Sequence, residues 1–171
     1  MTDVIIRPAT AADMDAIANI YGHSVTNHYA SFEVKPPDAA EMTARFQALV
    51  DENFPYLVAQ QDGAVLGYAY ASRFRPRPAY GHTVEGTVYI HPDHHGQGIG
   101  KKLVSSLLDA CMERHFRQMM AVIACKPDDD LAQVASVRLH KSLGFEQVGR
   151  FKEVGHKQGQ WLDTVILQRA L

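Results

Sequence analysis

Residues 83–102, TVEGTVYIHPDHHGQGIGKK, decide the fold that this sequence predicts. Residues 83–90 alternate between two faces and are rich in β-branched and aromatic side chains, which predicts a strand. Pro92 ends the strand because proline cannot donate to a sheet ladder. Gly96, Gly98 and Gly100 then open a helix with apolar side chains four residues apart from Ile99 onward. A strand, a glycine turn and a helix start form an anion cradle, because free amides and the helix dipole attract negative charge.

Two well-known phosphate loops do not match this segment. The glycines are spaced G-x-G-x-G, whereas a dinucleotide-binding loop needs G-x-G-x-x-G. A Walker A loop would need a glycine at His95 and Ser or Thr at Lys102. A glycine-rich turn that binds no ligand remains the alternative at this point.

Length and composition predict an ordinary globular protein. The 171 residues are 46% hydrophobic and 21% charged, which favours a single domain spanning residues 1–171. The net charge of −2 favours neither nucleic acid nor an anionic membrane as a partner. The opening MTDV lacks the features of a signal peptide, and no apolar run approaches the roughly 20 residues of a membrane span. Cys111 and Cys125 are expected to be free buried thiols in a reducing, cytoplasmic compartment.

The hydrophobic periodicity predicts the element order β-αα-βββ-α-β-α-ββ, a mixed α/β domain. Strands are expected at residues 4–7, 56–60, 64–74, 83–90, 118–124, 145–154 and 161–168. Thr10 with Asp13 and Asp38 with Glu41 predict the starts of the first two helices. The second helix should bury Met42, Phe46, Leu49 and Val50, and the fourth should cover residues 131–139, with the acidic residues 128–130 solvated at its start. The pair at residues 62–63, Asp-Gly, predicts a tight hairpin.

The glycine loop at residues 95–100 resembles the diphosphate loop of the GCN5-related N-acetyltransferases (GNAT), Q/R-x-x-G-x-G/A, with His95 in the first position. The resemblance narrows to the phosphinothricin and methionine sulfoximine N-acetyltransferases and covers nearly the whole chain. It rests on Phe32-Glu33 with Pro36, Arg75-x-Arg77 before Tyr80, TVEGTVY at 83–89, SVRLH at 136–140, LGF at 143–145 and VGHKQGQWLD at 154–163.

This resemblance implies a fold, a reaction and an assembly. The fold is a central mixed, mostly antiparallel sheet of about seven strands with about four helices, in which strands 4 and 5 splay apart for acetyl-CoA. The reaction is direct transfer of acetyl, in a ternary complex, to the α-amino group of a small amino acid analogue of the phosphinothricin, methionine sulfoximine or methionine sulfone type. Such an activity confers antibiotic or herbicide resistance. The assembly is a homodimer.

The resemblance also implies roles for individual residues. Glu85 is the expected general base, and burial would raise its pKa toward neutrality. His140 is the expected acid or hydrogen-bond donor near the departing thiolate. The non-catalytic alternatives are that Glu85 is a solvent-facing carboxylate on a strand and that His140 is a structural histidine on a helix.

Two further groups are expected to bind the ligands. Those for acetyl-CoA are Val88, Tyr89, Ile90, His95, Gly96, Gln97, Gly98, Ile99, Gly100, Lys101, Gln133 and Ser136. Those for the acceptor are Phe32, Phe74, Arg75, Arg77, Tyr80, Glu85, Gly86 and Thr87. The two arginines would each donate bidentate hydrogen bonds to the acidic oxygens of the acceptor. Gln133 replaces the usual asparagine of the family, and a basic surface loop is the alternative for the arginines. No metal is expected, because the histidines of H-x-x-H-H at residues 91–95 lie in a turn without a carboxylate or cysteine partner.

Two other functions remain open on the sequence. One is a protein or peptide N-terminal acetyltransferase with the same cofactor. The other is a non-catalytic acyl-CoA-binding sensor. Arg75 and Arg77 are suited to binding a free carboxylate, which favours a small acceptor over a protein or peptide. The presence of both Glu85 and His140 argues against a non-catalytic sensor.

Overall fold

The computed structural model describes residues 3–171, so Met1 and Thr2, part of the segment used to argue against a signal peptide, lie outside the described residues. The strands are β1 Ile5–Pro8, β2 Tyr56–Gln61, β3 Ala64–Arg73, β4 Thr83–Ile90, β5 Gln118–Cys125, β6 Glu146–Lys157 and β7 Gln160–Ala170. The α-helices are α1 Met14–Asn27, α2 Ala39–Asp51, α3 Ile99–Glu113 and α4 Ala135–Ser142.

The strands form one seven-stranded sheet in the order β1-β2-β3-β4-β5-β7-β6. Every neighbouring pair is antiparallel except β4 and β5, which run parallel. The mixed, mostly antiparallel sheet with four helices confirms the fold class that the sequence predicts.

The parallel pair at the centre of the sheet is paired over a short stretch. Thr83, Val84 and Glu85 pair with residues 118–120, whereas the two strands continue to Ile90 and Cys125. Because pairing stops after Glu85, the two strands separate and leave a gap between them. This separation confirms the predicted splay of strands 4 and 5.

The pairing of β4 with β3 determines which backbone groups of β4 face the gap. The His91 amide donates to the Leu66 carbonyl at 2.8 Å, continuing the register that pairs Ile90 with Gly67. In an antiparallel ladder, hydrogen-bonded and non-hydrogen-bonded residues alternate. The odd-numbered residues of β4 therefore bond to β3, and the backbone groups of Val88 and Ile90 point toward β5 across the gap.

The sheet separates two hydrophobic layers. On one face, α3 packs Leu103 and Leu107 into a cluster that also contains Val84 from β4. On the other face, α1 and α2 pack onto a row of tyrosines, and Tyr89 of β4 meets the Tyr21 ring edge-on at 5.0 Å. Successive residues of β4 thus face different layers, as the alternation in the sequence predicts.

Local sequence signals place several element ends correctly. The Asp13 carboxylate accepts from the Thr10 amide at 2.8 Å, and Asp38 accepts from the Glu41 amide at 2.8 Å. Asp62 and Gly63 have φ of 49° and 84°, and positive φ at both residues fits the predicted two-residue turn of a hairpin.

Three expectations about the elements are wrong. The fourth helix begins at Ala135, because the preceding carboxylates close local turns: Asp129 accepts from the Lys126 amide at 2.8 Å and Asp130 from the Ala132 amide at 3.0 Å. Val50 of α2 is 42% exposed, since the apolar stripe ends at Leu49. The last hairpin is longer than expected and closes in a two-residue turn at residues 158–159, where φ is 52° and 75°.

Candidate active site

A cleft of about 760 Å³ opens along the gap between β4 and β5 and extends over the glycine loop. Its walls come from residues 85–90 of β4, residues 94–96 and 98–101 of the loop and α3, and residues 121–124 of β5, together with parts of residues 134–140 and 20–30. The separation of the two strands therefore creates a concave surface along which a ligand could contact backbone amides.

The glycine loop has the conformation that an anion cradle needs. Gly96 and Gly98 adopt left-handed φ of 74° and 76°, and a Cβ on either would meet no atom within 4 Å. Glycine is therefore required at these two positions because of their positive φ, and not because a side chain would clash with a neighbour. Gly98 caps the 15-residue helix α3, so the first free amides of that helix point into the cleft region beside the loop.

His95 turns its side chain away from the loop. Its Nε2 lies 3.1 Å from the Ile90 carbonyl oxygen, and because a carbonyl can only accept, Nε2 carries the proton. The ring therefore ties the loop to the end of β4.

Glu85 lies where the pairing of β4 with β5 ends, and its side chain lines the cleft. Burial raises the pKa of the Glu85 carboxyl above its ordinary value of 4.5. A carboxylate with a raised pKa, beside unpaired backbone amides, is suited to accepting a proton from a bound amine.

His140 lies on α4 at the edge of the same cleft, is 4% exposed and packs edge-on against Phe145 at 4.9 Å. Its Nδ1 lies 2.8 Å from the Ser136 carbonyl oxygen, so Nδ1 carries the proton and donates it. Burial lowers the pKa of His140. The neutral ring with a lone pair on Nε2 is therefore the favoured form, and this form cannot act as a general acid.

The expected acceptor residues fall into two groups. Glu85, Gly86 and Thr87 line the cleft. Phe74, Arg75 and Tyr80 form a separate cluster, in which the Arg75 guanidinium lies 5.3 Å from the Phe74 ring centre and 5.7 Å from that of Tyr80.

The remaining two acceptor candidates also lie outside the cleft. Arg77 is exposed in the loop before β4, and Phe32 packs on Gly155, where an added Cβ would come within 2.4 Å of its ring. Within one chain, the structure does not bring Phe32, Phe74, Arg75, Arg77 or Tyr80 to the cleft.

Most of the expected cofactor residues do line the cleft. They are Val88, Tyr89, Ile90, His95, Gly96, Gly98, Ile99, Gly100, Lys101 and Ser136. Gln97 is exposed, and its side-chain amide donates to the Asp93 carbonyl at 3.4 Å. Gln133 is exposed in the turn before α4, so it does not line the cleft.

The end of α1 and the loop after it supply a cleft wall that the sequence does not predict. Ile20, His23, Ser24, His28 and Tyr29 line this wall. No local pattern marks these residues, because only the packing of α1 across β4 brings them to the gap.

A polar network holds the α1–α2 loop in place. The Tyr21 hydroxyl lies 2.8 Å from the Ser31 hydroxyl and donates to Glu33 at 2.8 Å. Arg45 donates to the same Glu33 carboxylate at 2.6 Å. The buried Lys157 ammonium donates to the Ser31 carbonyl at 2.7 Å, which joins the tip of the last hairpin to this loop.

Residues 3–171 contain no group of three or more His, Cys, Asp or Glu side chains that could hold a metal ion. None of their helices is both long and apolar enough to cross a membrane.

Comparisons with known proteins agree with this geometry. The model of the acetyltransferase (GNAT) domain matches residues 6–166. Phosphinothricin N-acetyltransferase of Alcaligenes faecalis is 46% identical over 97% of this chain and 82% of its own length. L-methionine sulfoximine/L-methionine sulfone acetyltransferase of Salmonella typhimurium is 37% identical over 97% and 94%. A crystal structure of a phosphinothricin acetyltransferase from Sinorhizobium meliloti in complex with AcCoA superposes with a TM-score of 0.92, at 46% identity, covering 99% of this chain and 89% of that one.

Proposed function

The chain belongs to the GNAT acetyltransferase family, and from this membership we propose that it transfers acetyl from acetyl-CoA to the α-amino group of a small amino acid analogue. The acceptor class is that for which its relatives are named: phosphinothricin, methionine sulfoximine and methionine sulfone. The observation that carries the proposal is the gap beyond Glu85, where the backbone groups of Val88 and the amide of Ile90 have no strand partner and lead directly into the glycine loop.

The gap and the loop suit the parts of acetyl-CoA in order. Amides of the loop and of the α3 start would hold the diphosphate. The pantetheine arm would lie between β4 and β5, where the backbone groups of Val88 and Ile90 lack a strand partner. Its thioester would then lie beside Glu85. The acetyl-CoA bound in the Sinorhizobium meliloti relative supports the choice of ligand.

Glu85 begins the reaction in this scheme. An α-ammonium group has a pKa of about 8, so a carboxylate with a raised pKa can remove its proton at modest cost. The amine nitrogen then attacks the thioester carbon, and the C–S bond breaks as its electron pair leaves on sulfur. The nitrogen loses its second proton in the same step, and solvent carries a proton to the departing thiolate. A backbone amide of β4 that faces the gap stabilises the oxygen as it gains charge, an effect of a few kcal/mol.

His140 has a narrower role in this scheme than the sequence suggests. The neutral ring keeps its one proton on Nδ1, which is committed to the Ser136 carbonyl. We therefore assign the proton transfer to Glu85. His140 shapes the thiolate side of the cleft and does not donate a proton to sulfur.

The acceptor site is completed by a second subunit in this proposal. Edge strand β6 and the turn side of β7 expose Val148, Phe151, Val154 and Trp161, each more than half accessible. Exposed apolar side chains along an unpaired edge are typical of an interface. A homodimer through this surface would add walls to the acceptor side, where a single chain leaves Phe32 and the Arg75 cluster outside the cleft.

The proposal also covers domain organisation, location and biological effect. One continuous sheet supports a single domain over the 171 residues, and the buried free thiols of Cys111 and Cys125 support a cytoplasmic location. Acetylation of an inhibitory amino acid analogue would confer resistance to it.

Thiol release from acetyl-CoA tests the proposal. The panel contains phosphinothricin, methionine sulfoximine, methionine sulfone and a peptide with a free N-terminus. We expect release with the amino acid analogues and none with the peptide. Release with the peptide alone would favour the N-terminal acetyltransferase, and cofactor binding without release under any condition would favour the sensor.

A further inference from the structure

The tip of the β6–β7 hairpin projects beyond the rest of the sheet. β6 and β7 stay paired as far as Lys157 and Gln160, whereas the pairing of β7 with β5 ends at Asp163. Residues 154–162 therefore form a two-stranded arm, beside which the described part of the chain pairs no third strand. A two-stranded hairpin is at best marginally stable in water. The position of the arm therefore depends on contacts with another part of the chain.

A bulge in β6 gives the arm its direction. The ladder with β7 is irregular between Phe151 and Gly155, and Glu153 within this stretch has a left-handed φ of 50°. The buried Asp163 carboxylate accepts from the Glu153 amide at 2.8 Å and from Arg150 Nε at 2.6 Å. Because a bulge bends its strand and increases the local twist, these bonds fix the direction in which the arm leaves the sheet.

The arm holds the end of α1 and the loop that follows it. The Lys157 ammonium, on a side chain that is buried, donates to the Ser31 carbonyl at 2.7 Å. The Gln158 side-chain amide donates to the Thr26 carbonyl at 2.9 Å. These bonds join residues that are 126 and 132 positions apart in the sequence. Two main-chain carbonyls of this region thus depend on side chains of the arm.

The loop lies on the face of the sheet to which the Glu85 side chain points. Glu85 and Tyr89 are four residues apart on β4, so their side chains leave the same face. The Tyr89 ring meets Tyr21 at 5.0 Å, and the Tyr21 hydroxyl lies 2.8 Å from the Ser31 hydroxyl. Residues 28–30 of the same loop line the cleft. An amine that approaches the thioester from the side of Glu85 therefore meets this loop.

We propose that Lys157 is a positioning residue for the acceptor: its bond to the Ser31 carbonyl fixes residues 28–33, which form the cleft wall on the side of Glu85. The inference rests on the proposed function and deepens it, because it identifies the tertiary contact that sets the shape of the acceptor site. An ammonium group is costly to bury, and an apolar side chain of the same length would fill the space without that cost. The charge of Lys157 therefore serves its bond to the loop.

Lys157→Met tests this inference, because methionine keeps a long apolar side chain and removes the donor. The Ser31 carbonyl then lacks its partner, and the loop can satisfy it only by turning it toward water. The assay uses the analogue that the wild-type protein acetylates fastest. With acetyl-CoA saturating, KM for that analogue should rise about tenfold or more, since the lost bond is charge-assisted. KM for acetyl-CoA should stay close to the wild-type value.

Amide hydrogen exchange of the protein without ligands provides a second readout that needs no turnover. Exchange within residues 28–33 should become faster in Lys157→Met, while α3 stays as protected as in the wild type. Gln158→Ala removes the other bond at an exposed position, so it should change both readouts in the same direction but by less. Lys152→Met is the matched control, because Lys152 is exposed on the same strand, and it should change neither readout.

Three results would overturn the inference. They are unchanged exchange within residues 28–33 in both variants, faster exchange with an unchanged acceptor KM, and an equal rise of both KM values with faster exchange throughout the chain. If Lys157→Met does not fold, the same criteria apply to Gln158→Ala.

Failure of the proposed function would look different. If the wild-type protein acetylates none of the analogues, the proposed function is refuted, and the positioning role of Lys157 is refuted with it. The exchange data would then still decide whether the arm holds the loop.

Discussion

Replacing Glu85 by glutamine tests the assignment of the base with little disturbance of the site. Glutamine has nearly the same shape, so the strand and its Ser72 partner on β3 remain as they are. What changes is the chemistry: an amide cannot accept the proton of the acceptor ammonium. Acetyl-CoA affinity should stay nearly the same, because the expected cofactor contacts lie further along β4 and in the glycine loop.

The size of the loss follows from the role of the group. Removing a general base costs about 10²–10⁴-fold in rate, so kcat/KM at pH 7 should fall within that range. An α-amine with a pKa of about 8 is roughly one-tenth unprotonated at pH 7 and almost fully so at pH 9.5. The deficit of the variant should therefore shrink by about tenfold over that interval.

The same substitution should stabilise the fold at neutral pH. Burial raises the pKa of Glu85 above 4.5, so the folded state binds this proton more tightly than the unfolded chain does. Stability contributed by the protonated group is complete below about pH 4.5 and is lost as pH rises through the folded pKa. Glu85→Gln has no such loss, and its Tm should exceed that of the wild type at pH 7 by a margin that disappears in acid.

The assay follows thiol release with saturating acetyl-CoA over this pH range, and Tm is measured on the same preparations. Glu146→Gln is the control, since this glutamate is exposed at the start of β6, away from the cleft. Wild-type turnover of Glu85→Gln at pH 7 would remove Glu85 as the base. An equal loss in Tm and in cofactor affinity would instead reveal a structural role.

Three further substitutions test separate parts of the structure. Gly67→Ala would place a Cβ 2.8 Å from Ile90 Cδ1 and 2.9 Å from the Tyr89 carbonyl oxygen, and urea denaturation should show a loss of about 1–3 kcal/mol; an unchanged midpoint would contradict this packing. Arg75→Ala should raise KM for the amino acid more than KM for acetyl-CoA, and an unchanged acceptor KM would exclude Arg75 as its anchor. Val154→Glu should convert the proposed dimer into monomers, as measured by light scattering; a dimer that survives would exclude the β6 surface.

Local sequence signals predict the fold because most of its elements end at residues that break helices or strands. The central strand is delimited by the prolines after β3, the proline after Ile90 and the glycines before α3, and the structure places β4 at the predicted residues 83–90. The start of α4 could not be predicted in the same way. Acidic residues both cap helices and close loops, and only the bonds of Asp129 and Asp130 to nearby amides distinguish the two.

The site was predictable to the extent that it lies on one continuous segment. Glu85, Thr87 and the glycine loop lie together in the structure because a strand and the turn that follows it are neighbours by covalent connection. The histidines of α1 were missed because their approach depends on how a distant helix packs across the sheet. Phe32 and Arg75 are harder still, since both lie outside the cleft in one chain and no local sequence pattern shows how the proposed second subunit would be placed.

The three-residue ladder between β4 and β5 has a mechanical consequence. It divides the sheet into two panels, β1–β4 and β5–β7–β6, which are joined along this seam and by the apolar layer under α3, where Ala69 of one panel and Val165 of the other share a cluster. A ligand seated in the opening acts as a surrogate strand that bridges the panels. We therefore expect loading with acetyl-CoA to slow the opening fluctuations of both panels together.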